Sequence, residues 1–189
     1  MEKQLIFILG GARSGKSTFA QKFIEAKNCP ALFVATAEAR DDEMKARIAA
    51  HQASRSANWQ TLETPLNLAE NIQKTSPTPW LLLDCLTLLV SNILLSCHEP
   101  VQETQFRQKL EGEIENLIQS YHAYPGSWAI VSNEVGLGLV PPYSLGRFYR
   151  DGLGWANQRL AQEADKVIFM VAGLPLIVKP SPMLAHDLL

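Results

Sequence analysis

Positive charge, cysteine, histidine and long apolar runs are all in short supply in this chain. Its 189 residues carry 17 Lys+Arg against 19 Asp+Glu, for a formal charge of -2. A protein that works by neutralising a nucleic-acid backbone shows a basic footprint, so the balance argues against a nucleic-acid partner. No stretch approaches the roughly 18 consecutive apolar residues that would span a bilayer, and the apolar run at residues 5–9 is too short for a secretory signal. Cys29, Cys85 and Cys97 are odd in number, widely spaced and without a C-x-x-C pair. That spacing leaves no disulfide framework or zinc ligand set and suits reduced thiols in a cytoplasm. Glycine and proline, eleven each, stand at ordinary levels and exclude collagenous or low-complexity chains. What remains is a soluble, cytoplasmic, globular protein, and its length suits one domain over 1–189.

Apolar residues are not scarce; they make up 47% of the chain and fall in short blocks. Residues 4–9, 31–35, 80–83, 128–132 and 167–171 are apolar but for Gln4 and Ser132 at two ends, instead of alternating, as in parallel strands covered on both faces. Helix-length segments lie between them, roughly over 16–26, 41–54, 66–74, 86–97, 102–122 and 145–164. Alternation of strand and helix predicts a doubly wound α/β sheet. The residues after Lys179, beginning Pro-Ser-Pro, read as a loose tail.

Gly10-Gly11-Ala12-Arg13-Ser14-Gly15-Lys16-Ser17 fits G-x-x-x-x-G-K-[ST] without mismatch, directly after a strand and before a helix. Glycines let backbone N–H groups turn around phosphate oxygens, and the helix N-terminus adds positive potential. Lys16 is placed to reach the β- and γ-phosphates, and the Ser17 hydroxyl to ligate Mg²⁺. Binding of a nucleoside triphosphate follows. A further carboxylate is expected near the Mg²⁺, at the carboxyl end of a neighbouring strand. Asp84 and Glu134 both occupy such positions.

Of four histidines, only one sits in a chemically suggestive pattern. Arg47, His51 and Arg55 are spaced i,i+4 and share a helix stripe, with Met44 and Ile48 on another. Two guanidiniums beside an imidazole favour its neutral, nucleophilic form, and the arginines could hold phosphate oxygens. Taken alone, the stripe fits a solvated basic helix face better. His98, His122 and His186 read as surface residues.

These residues in order, continued by Ala35-Thr36, Trp59, Glu63, the stretch ending at Asp84, Asn133-Glu134-Val135-Gly136 and Asn157-Gln158-Arg159-Leu160-Ala161, resemble one family. It is the bifunctional adenosylcobinamide kinase / adenosylcobinamide-phosphate guanylyltransferase family of cobalamin biosynthesis, and the likeness runs over about residues 4–179. The resemblance implies a P-loop, RecA-like, mostly parallel fold and a homotrimer. It implies phosphorylation of the aminopropanol hydroxyl of adenosylcobinamide by ATP or GTP. GMP then passes from GTP through a GMP-histidine to the phosphorylated substrate, giving adenosylcobinamide-GDP. His51 stands at the nucleophile position. Implied nucleotide contacts are residues 10–17, then Ala35, Thr36 and Ala37, then Gln52, Ala53, Ser54 and Arg55, with Glu63 and Asp84; Ser17 and Asp84 would serve Mg²⁺. Asp84 stands where the family carries Glu, which sets the carboxylate slightly farther back. Base preference rests on the resemblance alone, since no N-K-x-D guanine signature is present. Two other functions compete: a small-molecule P-loop kinase without guanylyl transfer, in which His51 is a bystander, and a RecA-like motor or nucleotide-gated interaction module, which the acidic balance disfavours.

Overall fold

The computed structural model describes residues 2–37 and 58–180. The expected helix over 41–54, with Arg47, His51 and the 52–55 contacts, lies outside the described residues, as does the tail past 180.

Described strands are β1 (Leu5–Gly10), β2 (Ala31–Ala35), β3 (Trp59–Glu63), β4 (Trp80–Asp84), β5 (Ser127–Val131), β6 (Lys166–Val171) and β7 (Leu174–Lys179). Described helices are α1 (Lys16–Glu25), α2 (Leu68–Gln73), α3 (Leu86–Leu95), α4 (Glu103–Ala123) and α5 (Ser144–Glu163). The strands form one sheet in the order β3-β2-β4-β5-β1-β6-β7. All its neighbours are parallel except the antiparallel pair β6–β7. The expected mostly parallel α/β sheet is therefore present, and it has two more strands than the apolar blocks suggested.

Alternate residues of each apolar strand feed opposite cores. Leu5, Phe7, Leu81, Leu83, Trp128 and Ile130 pack with the apolar faces of α2 to α5. Ile6, Ile8, Leu82, Ala129 and Val131 pack with Ala20 and Ile24 of α1. A strand covered on both faces has no polar register to keep, and this explains its unbroken apolar sequence.

Residues missed as strands are those that escape this sandwich. β3, Trp-Gln-Thr-Leu-Glu, lies at one edge with its polar residues exposed. β7 forms the other edge and is exposed along nearly its whole length. The turn Ala172–Gly173, where both residues have positive φ, reverses the chain between β6 and β7. Parallel pairing also sets the carboxyl ends in line: Glu63 lies opposite Ala35, Ala35 opposite Asp84, and Asp84 opposite Val131. Residues remote in sequence thus meet along one rim, where open α/β sheets take their ligands.

Candidate functional site

The phosphate loop leaves β1 at Gly10, which lies between β5 and β6. Ser14 N donates to Gly11 O at 3.3 Å and Phe19 N to Gly15 O at 2.9 Å, closing the turn and opening α1. Gly15 (φ 91°) and Arg13 (φ 57°) both take left-handed backbone here. Lys16 is buried and curls back, its Nζ donating to Gly11 O at 2.6 Å. Desolvation holds its ammonium below the ordinary lysine pKa, while the Asp84 carboxylate draws it partly back up. That attraction puts Asp84, at the end of β4, within electrostatic reach of the phosphate loop.

Gly10 is the tightest point. A Cβ on it would stand 2.5 Å from Met170 O and 2.8 Å from Ser14 Oγ, at φ +152°. Overpacking and backbone strain each cost about 1–3 kcal/mol. Gly10→Ala should therefore lose about 3 kcal/mol, lowering Tm by roughly 6–12 °C in a chain of this size. An unchanged Tm in a thermal melt would show that the loop can move away from β6.

The loop is braced from a direction that the sequence does not announce. Gly173 N, in the β6–β7 turn, donates to Ser14 O at 3.1 Å. From the other side, Glu134 N donates to Gly10 O at 3.1 Å. The Glu134 carboxylate is engaged locally, with Gly136 N donating to its Oε1 at 2.6 Å.

Thr36, fully buried just past β2, clamps the neighbouring strand end. Its Oγ1 donates to Cys85 O at 2.7 Å and accepts from Cys85 N at 3.0 Å. Asn92, the one amide in the apolar helix α3, donates to Thr36 O at 2.9 Å and to Pro65 O at 3.1 Å. A buried hydrogen-bonded network of this kind fixes geometry, because each lost partner would strand a desolvated polar group. It therefore holds the ends of β2 and β4, and with them Asp84, in fixed relation.

Burial first, and the Asp84 carboxylate second, push the Cys85 thiol from 9.0 up to about 11. Cys85 therefore stays protonated and unreactive at neutral pH. Its alkylation at pH 8, followed by mass spectrometry, should be about a hundredfold slower than in the urea-unfolded chain. The sign of the linked stability follows. Above pH 9 the unfolded chain releases a proton that the folded one keeps, so stability falls as pH rises from about 9 to about 11. Equal alkylation rates in the two states would contradict this.

A second buried network orients the end of β5. Ser132 Oγ donates to Asn157 Oδ1 at 2.7 Å, Asn157 Nδ2 donates to Asn133 O at 3.0 Å, and Asn133 N donates to Thr87 Oγ1 at 2.8 Å. In the same segment of α5, Arg159 does not face the rim. It bonds Glu115 of α4 through Nε at 2.7 Å and Nη2 at 3.1 Å, a packing contact between helices.

Of the expected site residues, the described structure brings residues 10–17, Ala35, Thr36, Ala37, Glu63, Asp84 and Glu134 to this rim. Gly173 and Asn92 were missed, and Asn157 was read only as part of the ordered set that carries the resemblance. A lone Asn in the helix Leu-Thr-Leu-Leu-Val-Ser-Asn-Ile-Leu-Leu is a readable signal for a buried polar role. For Gly173 no local signal exists. Among the described residues, no group of three or more His, Cys, Asp or Glu gathers as a ready-made metal cage.

Residues 6–178 match the family model described as cobinamide kinase / cobinamide phosphate guanyltransferase. The chain is 45% identical over 177 residues to the bifunctional adenosylcobalamin biosynthesis protein CobP of Pseudomonas aeruginosa, covering 93% of this chain and 98% of that protein. It is 36% identical over 181 residues to the bifunctional adenosylcobalamin biosynthesis protein CobU of Escherichia coli, covering 93% and 99%. A crystal structure of the RadB recombinase is similar over 88% of this chain and 73% of that one, at 11% identity and a TM-score of 0.48.

Proposed function

The chain belongs to the cobinamide kinase / cobinamide phosphate guanyltransferase family, transferases of cobalamin biosynthesis, and from that membership we propose the course of its two reactions. In the first, the aminopropanol hydroxyl oxygen of adenosylcobinamide attacks the γ-phosphorus of ATP or GTP. The bond to the bridging oxygen breaks, a nucleoside diphosphate leaves and the hydroxyl proton passes to a base, for which Glu134 is the candidate. In the second, an imidazole nitrogen of His51 attacks the α-phosphorus of GTP and pyrophosphate leaves. A phosphate oxygen of adenosylcobinamide phosphate then attacks the same phosphorus, the N–P bond breaks, and adenosylcobinamide-GDP is released.

The observation that carries this reading is the match over residues 6–178 to a family with both activities, on a chain whose phosphate loop is intact. One cradle can serve both reactions if the triphosphate is held in two ways, since one chemistry exposes the γ-phosphorus and the other the α-phosphorus. The covalent intermediate means that the large corrinoid and pyrophosphate need not share the site at one moment.

Lys16 would neutralise charge on the transferred phosphoryl group. Mg²⁺ would add a second positive charge there, and the residues fit it. A hydroxyl at Ser17, a carboxylate at Asp84 and phosphate oxygens make the hard-oxygen set that Mg²⁺ takes. Asp84 stands close enough to the loop to hold up the Lys16 pKa. Ala35, Thr36, Ala37 and Glu63 at the rim, with Gln52, Ala53, Ser54 and Arg55 beyond His51, complete the proposed nucleotide contacts.

A homotrimer is part of the proposal. It is supported by β7, an edge strand whose Leu174, Leu176, Ile177 and Val178 are exposed and which offers an apolar surface to a second copy. The same reading puts the enzyme in the cytoplasm. All three cysteines are free, and no described helix is long and apolar enough to cross a membrane.

Incubation with Mg²⁺ and GTP labelled at the α-phosphate tests the proposal. Denatured protein should retain acid-labile, base-stable label, and adenosylcobinamide should be phosphorylated in a parallel assay. Phosphorylation without protein-bound label would leave a plain P-loop kinase as the better account.

A further inference from the structure

From Val135 to Gly146, the loop after β5 and the first residues of α5, the chain runs Val-Gly-Leu-Gly-Leu-Val-Pro-Pro-Tyr-Ser-Leu-Gly, without one charged residue. A loop of this composition at a protein surface is unusual, because solvent-facing connections are ordinarily polar. Leu137 is 83% exposed, Leu139 97%, Val140 64% and Tyr143 66%. The loop is also held in place. At its near end Glu134 N is bonded to Gly10 O of the phosphate loop. At its far end Arg147 Nη1 donates to Pro141 O at 3.1 Å and Pro142 O at 2.9 Å. Between them, Gly146 is packed so closely by Pro141 and the Tyr143 ring that a Cβ there would stand 2.7 Å from each.

An anchored apolar surface beside a phosphate cradle calls for a ligand that is itself largely apolar and has a group to offer the phosphate. We propose that this loop is the docking surface for the corrin macrocycle of the acceptor, with Leu137, Leu139, Val140 and Tyr143 as its contacts. The inference rests on the assignment of adenosylcobinamide as acceptor. A cobalt corrin is broad, flat and rimmed by methyl and amide groups, too large to enter the phosphate loop. Only its pendant aminopropanol hydroxyl has to reach the γ-phosphorus. A platform that begins one hydrogen bond from Gly10 supports the ring outside the cradle and points that arm inward. Burying leucine side chains against the ring supplies affinity from apolar area alone. Among the described residues, the exposed apolar strand β7 is less suited to the task. It starts at the rim opposite Val171 and runs antiparallel to β6, away from the site, to Lys179 opposite Val167.

The test is steady-state kinetics of the full chain with adenosylcobinamide, on Leu137→Ser/Leu139→Ser and on Leu139→Ser alone. KM for adenosylcobinamide should rise about tenfold or more in the double variant and by a smaller factor in the single one. KM for the nucleotide, Tm and the oligomeric state by light scattering should stay as in the parent. Leu95→Ser, a like substitution at a residue 60% exposed at the far end of α3, should leave KM for adenosylcobinamide unchanged. An unaltered corrinoid KM in the double variant overturns the proposal. So does a change confined to nucleotide KM, which would make the loop a base platform, or a change in oligomeric state, which would make it a subunit contact. If the parent protein itself fails to phosphorylate adenosylcobinamide, it is the underlying assignment of the acceptor that has failed.

Discussion

Lys16→Ala should reduce both phosphorylation and guanylyl transfer by about 10³-fold while leaving the fold as stable as before, or slightly more so. The two halves of this expectation have a common cause. Lys16 is buried, with Nζ bonded to the Gly11 carbonyl, and desolvation lowers its pKa. A desolvated ammonium bonded to a neutral carbonyl is a poor contributor to stability. Its value appears when phosphate oxygens replace the carbonyl and negative charge develops on the transferred group. Removing one such preorganised donor costs about 3–4 kcal/mol of transition-state stabilisation, or two to three powers of ten in rate. A thermal melt beside the two activity assays checks the contrast. If either activity survives within about tenfold, that reaction does not use this loop, and the shared-cradle reading is wrong for it.

His51→Ala should separate the two reactions. Protein-bound GMP should vanish and guanylyl transfer should fall by at least about 10⁴-fold, since without the imidazole no N–P bond can form. Phosphorylation should change by no more than about threefold, because the γ-phosphorus is not attacked by this residue. The pairing distinguishes a nucleophile from a structural histidine, whose loss would depress both activities together. Parallel loss of both, or retention of label in the variant, would overturn the assignment of His51.

Much of the fold was legible because its signals are local. β1, β2, β4, β5 and β6 are apolar on both faces, and a fully covered strand has to be so written. The phosphate loop was legible for a similar reason: one octapeptide holds its glycines, lysine and serine, and the adjoining strand and helix are coded next to it. β3 and β7 were not legible, because edge strands face solvent and their sequences answer to what covers them. Trp-Gln-Thr-Leu-Glu alternates weakly, and Leu-Pro-Leu-Ile-Val-Lys continues the apolar character of β6 across a two-residue turn.

Read alone, the chain points to nucleoside-triphosphate binding on a doubly wound α/β sheet, and its ordered residues point to the family. Both follow from contiguous patterns. It takes the folded chain to show that Gly173 braces Ser14, that Thr36 and Asn92 lock the end of β4, and that an uncharged loop stands beside Gly10. Each of those contacts joins residues far apart in the chain, and a backbone carbonyl that accepts a hydrogen bond leaves no mark on the choice of its own residue's side chain. Strand pairing sets Glu63, Ala35, Asp84 and Val131 in line, and that alignment, not any one motif, assembles the rim on which the chemistry is proposed to occur.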